Sequence, residues 1–356
     1  MGIDLAAVVA KRPVELGHYA GRWVAFDAWN ILYQFLSSIR QPDGTPLKDE
    51  QGRVTSHLAG TLYRTASLVE AGIKPVWVFD GEPHPLKAET LAGRSARKAA
   101  AQEAYDKALE AGDLETARTK AQQTSRLTIP MVEDAKRLLT ALGMPVIQAP
   151  GEGEAQAAAM AAAGSVHAVA SQDFDAVLFG APRIARNLTV TGRRKLPGKQ
   201  VWVDVAPEEV TLDDTLQELG ISRDQLIDAA ILVGTDFNPG VKGIGPKKAL
   251  GIIRSEGSLE SVLDRLAARP DAADKAWERS LLEQHEALMD RDAIHALFQK
   301  PSSQEVPELA MKAPDADAIT TFMVEERGFS ETRVKSALER FGAARGKRQQ
   351  QSLFDF

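Results

Sequence analysis

The sequence predicts an α/β fold: a central, largely parallel sheet with helices on both faces. Three observations predict it. Apolar runs at Trp23–Phe26 and Pro75–Phe79 are short and unbroken. That is the pattern of strands buried on both sides of a parallel sheet. Between them lie a helix-patterned stretch at Trp29–Ile39, a turn signal at Pro42-Asp43-Gly44 and a helical period over Thr55–Ala71. Strand, helix, helix, strand is a crossover unit suited to parallel pairing. Finally, both runs end in an aspartate, Asp27 and Asp80, and a third run from Val166 ends in Asp173. Open α/β sheets bind ligands outside the carboxyl ends of their strands, so acids distant in sequence can converge there.

The remaining elements follow in order. From Glu82 to about Pro130 apolar residues thin out, and Ala, Gln, Lys, Arg and Glu dominate. Helix propensity is high but no strong apolar face appears, so exposed helices project from the core. Between Lys87 and Arg126, eight Lys/Arg face six Asp/Glu. Composition alone leaves this segment as either a solvated hairpin or a basic functional element. Met131–Leu142 is amphipathic, and Val146–Ala149 is a short strand closed by Pro150-Gly151. Glu152 and Glu154 open an alanine-rich helix, where acids also suit the helix dipole. Asp175 lies two residues beyond Asp173. Arg183–Lys199 carries six Lys/Arg and no acid around Gly192 and Pro197-Gly198, which reads as a basic hairpin or loop before a strand at Val201–Val205. Gln225–Val233 is helical, and Asp228 and Asp236 are spaced to share a face. Gly240-Val-Lys-Gly-Ile-Gly-Pro-Lys-Lys-Ala-Leu250 is a glycine-rich interhelical turn. Exposed amides at a helix N-terminus with flanking lysines favour a phosphate. Helices continue to about Phe341, and a polar tail ends in Leu353-Phe354-Asp355-Phe356.

Composition narrows the chemistry. With 44% hydrophobic and 26% charged residues in 356, the chain is an ordinary globular protein. It has no cysteine, which excludes disulfides, zinc–thiolate sites and cysteine nucleophiles and points to an intracellular home. No run reaches membrane-spanning length, and the N-terminus lacks a signal-peptide pattern. A net charge of −6 does not advertise nucleic-acid binding, but a dense acidic site would mask a basic surface in that sum. The acids Asp27, Asp80, Glu152, Glu154, Asp173, Asp175 and Asp236 are hard oxygen donors. Such donors select Mg²⁺ or Mn²⁺ over zinc or copper. They exceed what one Mg²⁺ needs, whereas a pair of ions about 3.5–4 Å apart uses them, as in phosphodiester cleavage. Singly, each acid could cap a turn or a helix. Their recurrence as E-x-E and D-x-D pairs just after strands argues for a joint role. None of the six histidines sits in a nucleophile-elbow context.

Several strings resemble the flap endonucleases, structure-specific 5′ nucleases of the XPG-like superfamily. They are Ala149-Pro-Gly-Glu-Gly-Glu-Ala-Gln, Ala170-Ser-Gln-Asp-Phe-Asp-Ala, Val78-Phe-Asp-Gly-Glu-Pro, Gly234-Thr-Asp-Phe and Gly240-Val-Lys-Gly-Ile-Gly-Pro. Met1-Gly2-Ile3 and Thr191-Gly-Arg-Arg-Lys-Leu-Pro-Gly-Lys199 fit as well. The resemblance runs in order over nearly the whole chain, and the single-chain form without a fused polymerase looks archaeal. It implies a PIN-like/XPG-like nuclease fold, with a nuclease domain over 1–341. Within that domain it implies a helical arch at 81–130, the basic hairpin at 182–200 and a helix–two-turn–helix at 225–260, then a flexible tail at 342–356. The seven acids fall on the family's metal positions, with Asp228 a neighbour. Lys87 and Arg94 fall on the arch pair that reaches the scissile phosphate. The resemblance places DNA contacts at Gly2, Tyr33 (a base-stacking aromatic), Arg40, Arg64, Lys242, Gly243, Gly245, Lys247 and Lys248, and K⁺ at the turn carbonyls. In the tail, Gln350, Leu353, Phe354 and Phe356 resemble a peptide for the sliding clamp PCNA, although the terminal aromatic pair is incomplete. Trp29, at a position where smaller residues are commoner in the family it resembles, is a second departure. The implied protein is a monomeric Mg²⁺-dependent 5′ flap endonuclease and 5′–3′ exonuclease of replication and repair. It would reside in the cytoplasm at the nucleoid and act on branched DNA, with no membrane partner. Another XPG-like junction nuclease is the nearest alternative. A non-catalytic junction scaffold should have lost several acids, and a small-molecule phosphatase would not need the glycine–lysine turn.

Overall fold

A computed structural model describes residues 7–41, 43–113, 116, 119–120, 124–190, 193–195, 202–269 and 274–354. At 89, 109, 193–195, 202–203 and 344–354 it describes the backbone alone. Nine strands are described: β1 (Arg12–Pro13), β2 (Trp23–Asp27), β3 (Lys74–Phe79), β4 (Val146–Gln148), β5 (Ala168–Ala170), β6 (Arg183–Arg186), β7 (Arg193–Lys195), β8 (Trp202–Asp204) and β9 (Glu208–Thr211). Seven form one sheet in the order β1-β9-β6-β5-β2-β3-β4. The five from β6 to β4 run parallel, and β9 and β1 add an antiparallel edge.

Alternation within β2 and β3 shows why their sequences read as unbroken apolar runs. Ala25, Val76 and Val78 enter one core, whereas Val24, Phe26, Trp77 and Phe79 enter the other. Each face is covered by helices, so neither strand face can be polar. One layer contains α1 (Ala28–Ser38), α2 (Ser56–Glu70) and, after the charged α3 (Ala88–Glu110), α4 (Ile129–Ala141). On the opposite face lies α5 (Gly153–Ala162), whose alanines Ala155, Ala157, Ala158 and Ala161 pack flush against the sheet. It is joined there by the short α6 (Asp175–Leu178) and, after α7 (Leu212–Leu219), by α8 (Arg223–Val233), α9 (Pro246–Glu256) and α10 (Leu259–Ala268). Next come α11 (Ala276–Glu283), α12 (Arg291–Gln299), α13 (Ala316–Thr320) and α14 (Glu331–Phe354). The last of these returns to pack on α2.

Two expectations change, and two edge strands go unread. The basic stretch 182–200 is not one hairpin: Arg183–Arg186 joins the main sheet as β6, and the hairpin is β7 paired antiparallel with β8. Charge marked the segment, but burial of Ile184 and Ala185 decided which part enters the sheet. The edge strands β1 and β9 were not legible, because two residues and four mixed residues carry no period. Where a flexible tail was expected from 342, α14 continues to Phe354.

Candidate active site

Six of the seven acids lie at the carboxyl ends of β2, β3, β4 and β5 or on the element that follows them, and Asp236 lies on the turn after α8. Asp27 ends β2 and caps α1, its carboxylate accepting from Asn30 N at 3.1 Å. Asp80 follows β3 and accepts from Gly153 N at 2.8 Å. A Cβ at position 153 would stand 2.6 Å from Asp80 Oδ1, so only glycine lets the start of α5 approach this closely. That approach brings Glu152 and Glu154, on either side of Gly153, to the rim. Glu154 accepts from Ser171 Oγ at 2.5 Å. Asp173 accepts from Asn30 Nδ2 at 2.8 Å, while Asn30 Oδ1 accepts from Gln172 N at 3.2 Å. One asparagine therefore fixes the loop after β5 against the start of α1.

These acids act on one another. Burial, then Asp80, and further on Asp173, push Asp27 well above the usual carboxylate range. Burial, then Asp27, Asp175 and Asp173, do the same to Glu154. Asp80 is raised to about 6, by burial first and by Glu152 next, with Lys87 opposing. Asp236 completes this second half of the rim. Two cations reach in from the 81–130 segment. Lys87 pairs with Glu152 and lies 3.3 Å from Asp236, and Arg94 of α3 pairs with Asp236. Burial works against the Lys87 ammonium, but Glu152 and Asp236 outweigh it and raise its pKa. Among the described residues, no three rim acids bring their oxygens within 4.8 Å of one another.

Asp228 does not join them. Its carboxylate accepts from Leu259 N at 3.0 Å and faces His295 at 3.6 Å, anchoring the start of α10. The spacing argument failed because α8 ends at Val233 and Asp236 leaves on a turn. Tyr33 carries Lys98 over its ring at 4.4 Å, with Lys98 Nζ donating to its hydroxyl at 3.1 Å. Arg40 donates to Leu36 O, Gly44 O and Ser125 Oγ, so it ties local chain together. Arg64 is half-buried, and burial lowers its pKa. In the glycine turn, Gly245 caps α9 without a side-chain bond, and Lys242, Lys247 and Lys248 are exposed. Lys242 N is taken by Gln284 Oε1 at 2.9 Å, and Lys248 Nζ donates to Gly243 O at 2.8 Å. Gly2, Phe356 and the side chains of Gln350, Leu353 and Phe354 lie outside the described residues. Sequence reasoning missed Asn30, Ser171, Gly153 and Lys98. Asn30 had a signal, being three residues after a capping aspartate. Lys98 had one in its i+4 spacing from Arg94.

The comparisons agree with this geometry. The XPG N-terminal domain matches residues 1–101 and the XPG I-region matches residues 143–236. Flap endonuclease 1 of Pyrococcus furiosus is 48% identical over 345 residues, covering 97% of this chain and 96% of the relative. Flap endonuclease 1 of Thermococcus onnurineus is 49% identical over 346 residues, covering 97% and 95%. The solved flap endonuclease-1 from Methanococcus jannaschii superposes with a TM-score of 0.74 at 38% identity, covering 98% of this chain and 100% of that one. The catalytic core of Rad2 in complex with DNA substrate shares the fold, with a TM-score of 0.67 at 24% identity, covering 93% of this chain and 95% of that one. Fold, matched regions and acid rim together define a nuclease of the XPG class. With near-half identity over almost its full length, the chain belongs to the flap endonuclease family, and its activity is structure-specific cleavage of 5′ flaps. Among the described residues no helix is long and apolar enough to cross a membrane.

Proposed function

We propose that this chain hydrolyses DNA 5′ flaps with two Mg²⁺ ions held by Asp27, Asp80, Glu152, Glu154, Asp173, Asp175 and Asp236, Mn²⁺ substituting. The observation that carries the proposal is the convergence of these acids from remote segments on one rim, with Asp27 and Asp173 joined through Asn30, Asp80 bound to Gly153 N, Glu154 to Ser171, and Lys87 and Arg94 reaching Glu152 and Asp236; the raised Asp27, Asp80 and Glu154 agree with it. The donor set fits, being all carboxylate oxygen. When bound, the ions supply hydroxide from water and stabilise the leaving oxygen. Water oxygen bonds to phosphorus and the bond to O3′ breaks, leaving a 5′-phosphate and a 3′-hydroxyl.

The chain's own residues position this exchange. Asn30 keeps Asp27 and Asp173 in fixed relation. Lys87 and Arg94, paired here with Glu152 and Asp236, transfer to the phosphate oxygens when DNA arrives and stabilise transition-state charge. The 81–130 segment acts as the arch over a 5′ single strand. Tyr33 stacks a base near the cut once Lys98 moves aside. The Gly243–Gly245 turn with Lys242, Lys247 and Lys248 grips duplex phosphates, and its carbonyls would hold a K⁺ ion; Lys248 Nζ donates to Gly243 O at 2.8 Å. Arg40, Arg64 and Gly2 lie along the duplex. The tail from Gln350 docks on a sliding clamp. The protein works as a monomer in the cytoplasm of an archaeal cell, at the nucleoid, and also degrades 5′ ends exonucleolytically. A labelled 5′ flap incubated with Mg²⁺ or with EDTA tests the reading. Cleavage near the junction with Mg²⁺ alone supports it; EDTA-resistant cleavage removes the metals.

A further inference from the structure

The opposite end of the sheet carries a second donor cluster. His18, His167 and Glu209 place one ligating atom each within 4.8 Å of one another, and His18 Nε2 is 3.1 Å from Glu209 Oε2. They come from three remote segments: the turn Leu16–Tyr19, the residue before β5, and β9. His167 N donates to Trp23 O at 2.8 Å, which fixes it at the amino end of β2. Asp27 ends the same strand, so this cluster and the acid rim are separated by the strand's length, roughly 13 Å at about 3.3 Å per residue.

From this geometry we infer that His18, His167 and Glu209 form a site for one borderline-soft divalent cation of the Zn²⁺ class, separate from the nuclease ions. Two imidazoles and a carboxylate are a three-ligand zinc set with a fourth position left open. Tetrahedral bonds of about 2.0–2.2 Å put neighbouring ligand atoms about 3.4 Å apart; His18 Nε2 and Glu209 Oε2 are already at 3.1 Å, and the other pairs, within 4.8 Å, need to close by at most about 1.4 Å. His18 is exposed and can make that movement. Glu209 is held by outer partners, as metal-binding carboxylates are. Arg12 donates to Oε1 at 2.5 Å, and buried Tyr19 donates to Oε2 at 3.3 Å. The Arg12 guanidinium competes for the same carboxylate, so affinity is moderate. A bound ion ties the 16–19 turn to the sheet and stabilises the fold by mass action.

The test is equilibrium dialysis of the full chain against Zn²⁺ with excess Mg²⁺ to occupy the acid rim. The wild type retains one Zn²⁺ more than His18→Gln and His167→Gln, and its thermal midpoint rises with Zn²⁺ while theirs does not. Co²⁺ in place of Zn²⁺ gives the intense visible absorption of a tetrahedral site in the wild type alone. Flap cleavage with Mg²⁺ is unchanged in both variants, which also shows that they fold. Equal Zn²⁺ retention by wild type and variants overturns the assignment, as does a Co²⁺ spectrum that survives both substitutions.

Discussion

Carboxylates at the rim and carboxylates at the carboxy-terminal brace are the same chemical group in opposite circumstances. In the brace, Asp134 accepts from Arg327 through both oxygens at 2.7 Å, Glu326 binds Arg137 at 2.6 and 2.7 Å, and Glu70 binds Arg340 at 2.6 Å. Each acid has its own guanidinium. The Arg137 bond holds Glu326 below the ordinary carboxylate range. At the rim, Lys87 and Arg94 pair with Glu152 and Asp236, while Asp27 and Glu154 are pushed upward by burial and by the acids beside them. Balanced charge fastens one helix to another. Unbalanced charge is destabilising in isolation and acquires a purpose only with a cationic ligand.

The sharpest way to break this contrast is to remove rim acids. Asp173→Ala or Glu154→Ala should slow flap cleavage by about 10²–10³-fold or more while retaining flap binding. Unchanged turnover in a quench-flow assay would put these acids in the same class as the brace. Lys87→Ala and Arg94→Ala should each lower the single-turnover rate by about 10²-fold, with affinity changed far less. An affinity loss matching the rate loss would make them DNA-binding residues only. Arg327→Ala inverts the pattern: stability to urea should fall by about 1–3 kcal/mol, with cleavage of the folded protein intact.

How much of this was legible in the chain follows from the range of each interaction. Strands β2, β3 and β5, and the acids that follow them, were readable because burial on both faces writes continuous apolar runs and the acids terminate them. Glu152 and Glu154 were readable from Pro150-Gly151 and the alanine helix. The pairing of Asn30 with Asp173 spans 143 residues and leaves no local trace. Asp228 misled for the opposite reason. Helical spacing is local information, and it ended three residues before Asp236 was reached. Lys87 and Arg94 gave only composition, and their contacts with Glu152 and Asp236 needed the fold.

Smaller effects sharpen the comparison further. Asp80 has an ordinary value of 3.8 and about 6 in the folded chain, so the folded state holds its proton longer than the unfolded state. Stability of the metal-free protein should therefore fall as pH rises through about 4 to 6 on account of this group. Asp80→Asn should flatten that part of the profile in thermal unfolding. Glu326, lowered by Arg137, contributes the other way: its stabilisation is present above the ordinary carboxylate value and is lost as pH falls through its lowered one. Removing residues 346–356 should leave intrinsic cleavage unaltered and abolish stimulation by a sliding clamp, measured on the same flap.

The central claim is that the rim lacks positive charge which divalent ions supply. It is tested most directly by calorimetric titration of Mg²⁺ into the metal-free protein at about pH 6, in buffers of different ionisation enthalpy. Crowded carboxylates that hold protons must surrender them, so the observed heat should depend on the buffer and report proton release with two ions bound. Binding without proton release, or no binding at all, would mean that the acids are already ionised and satisfied by Lys87 and Arg94, and the account would be wrong.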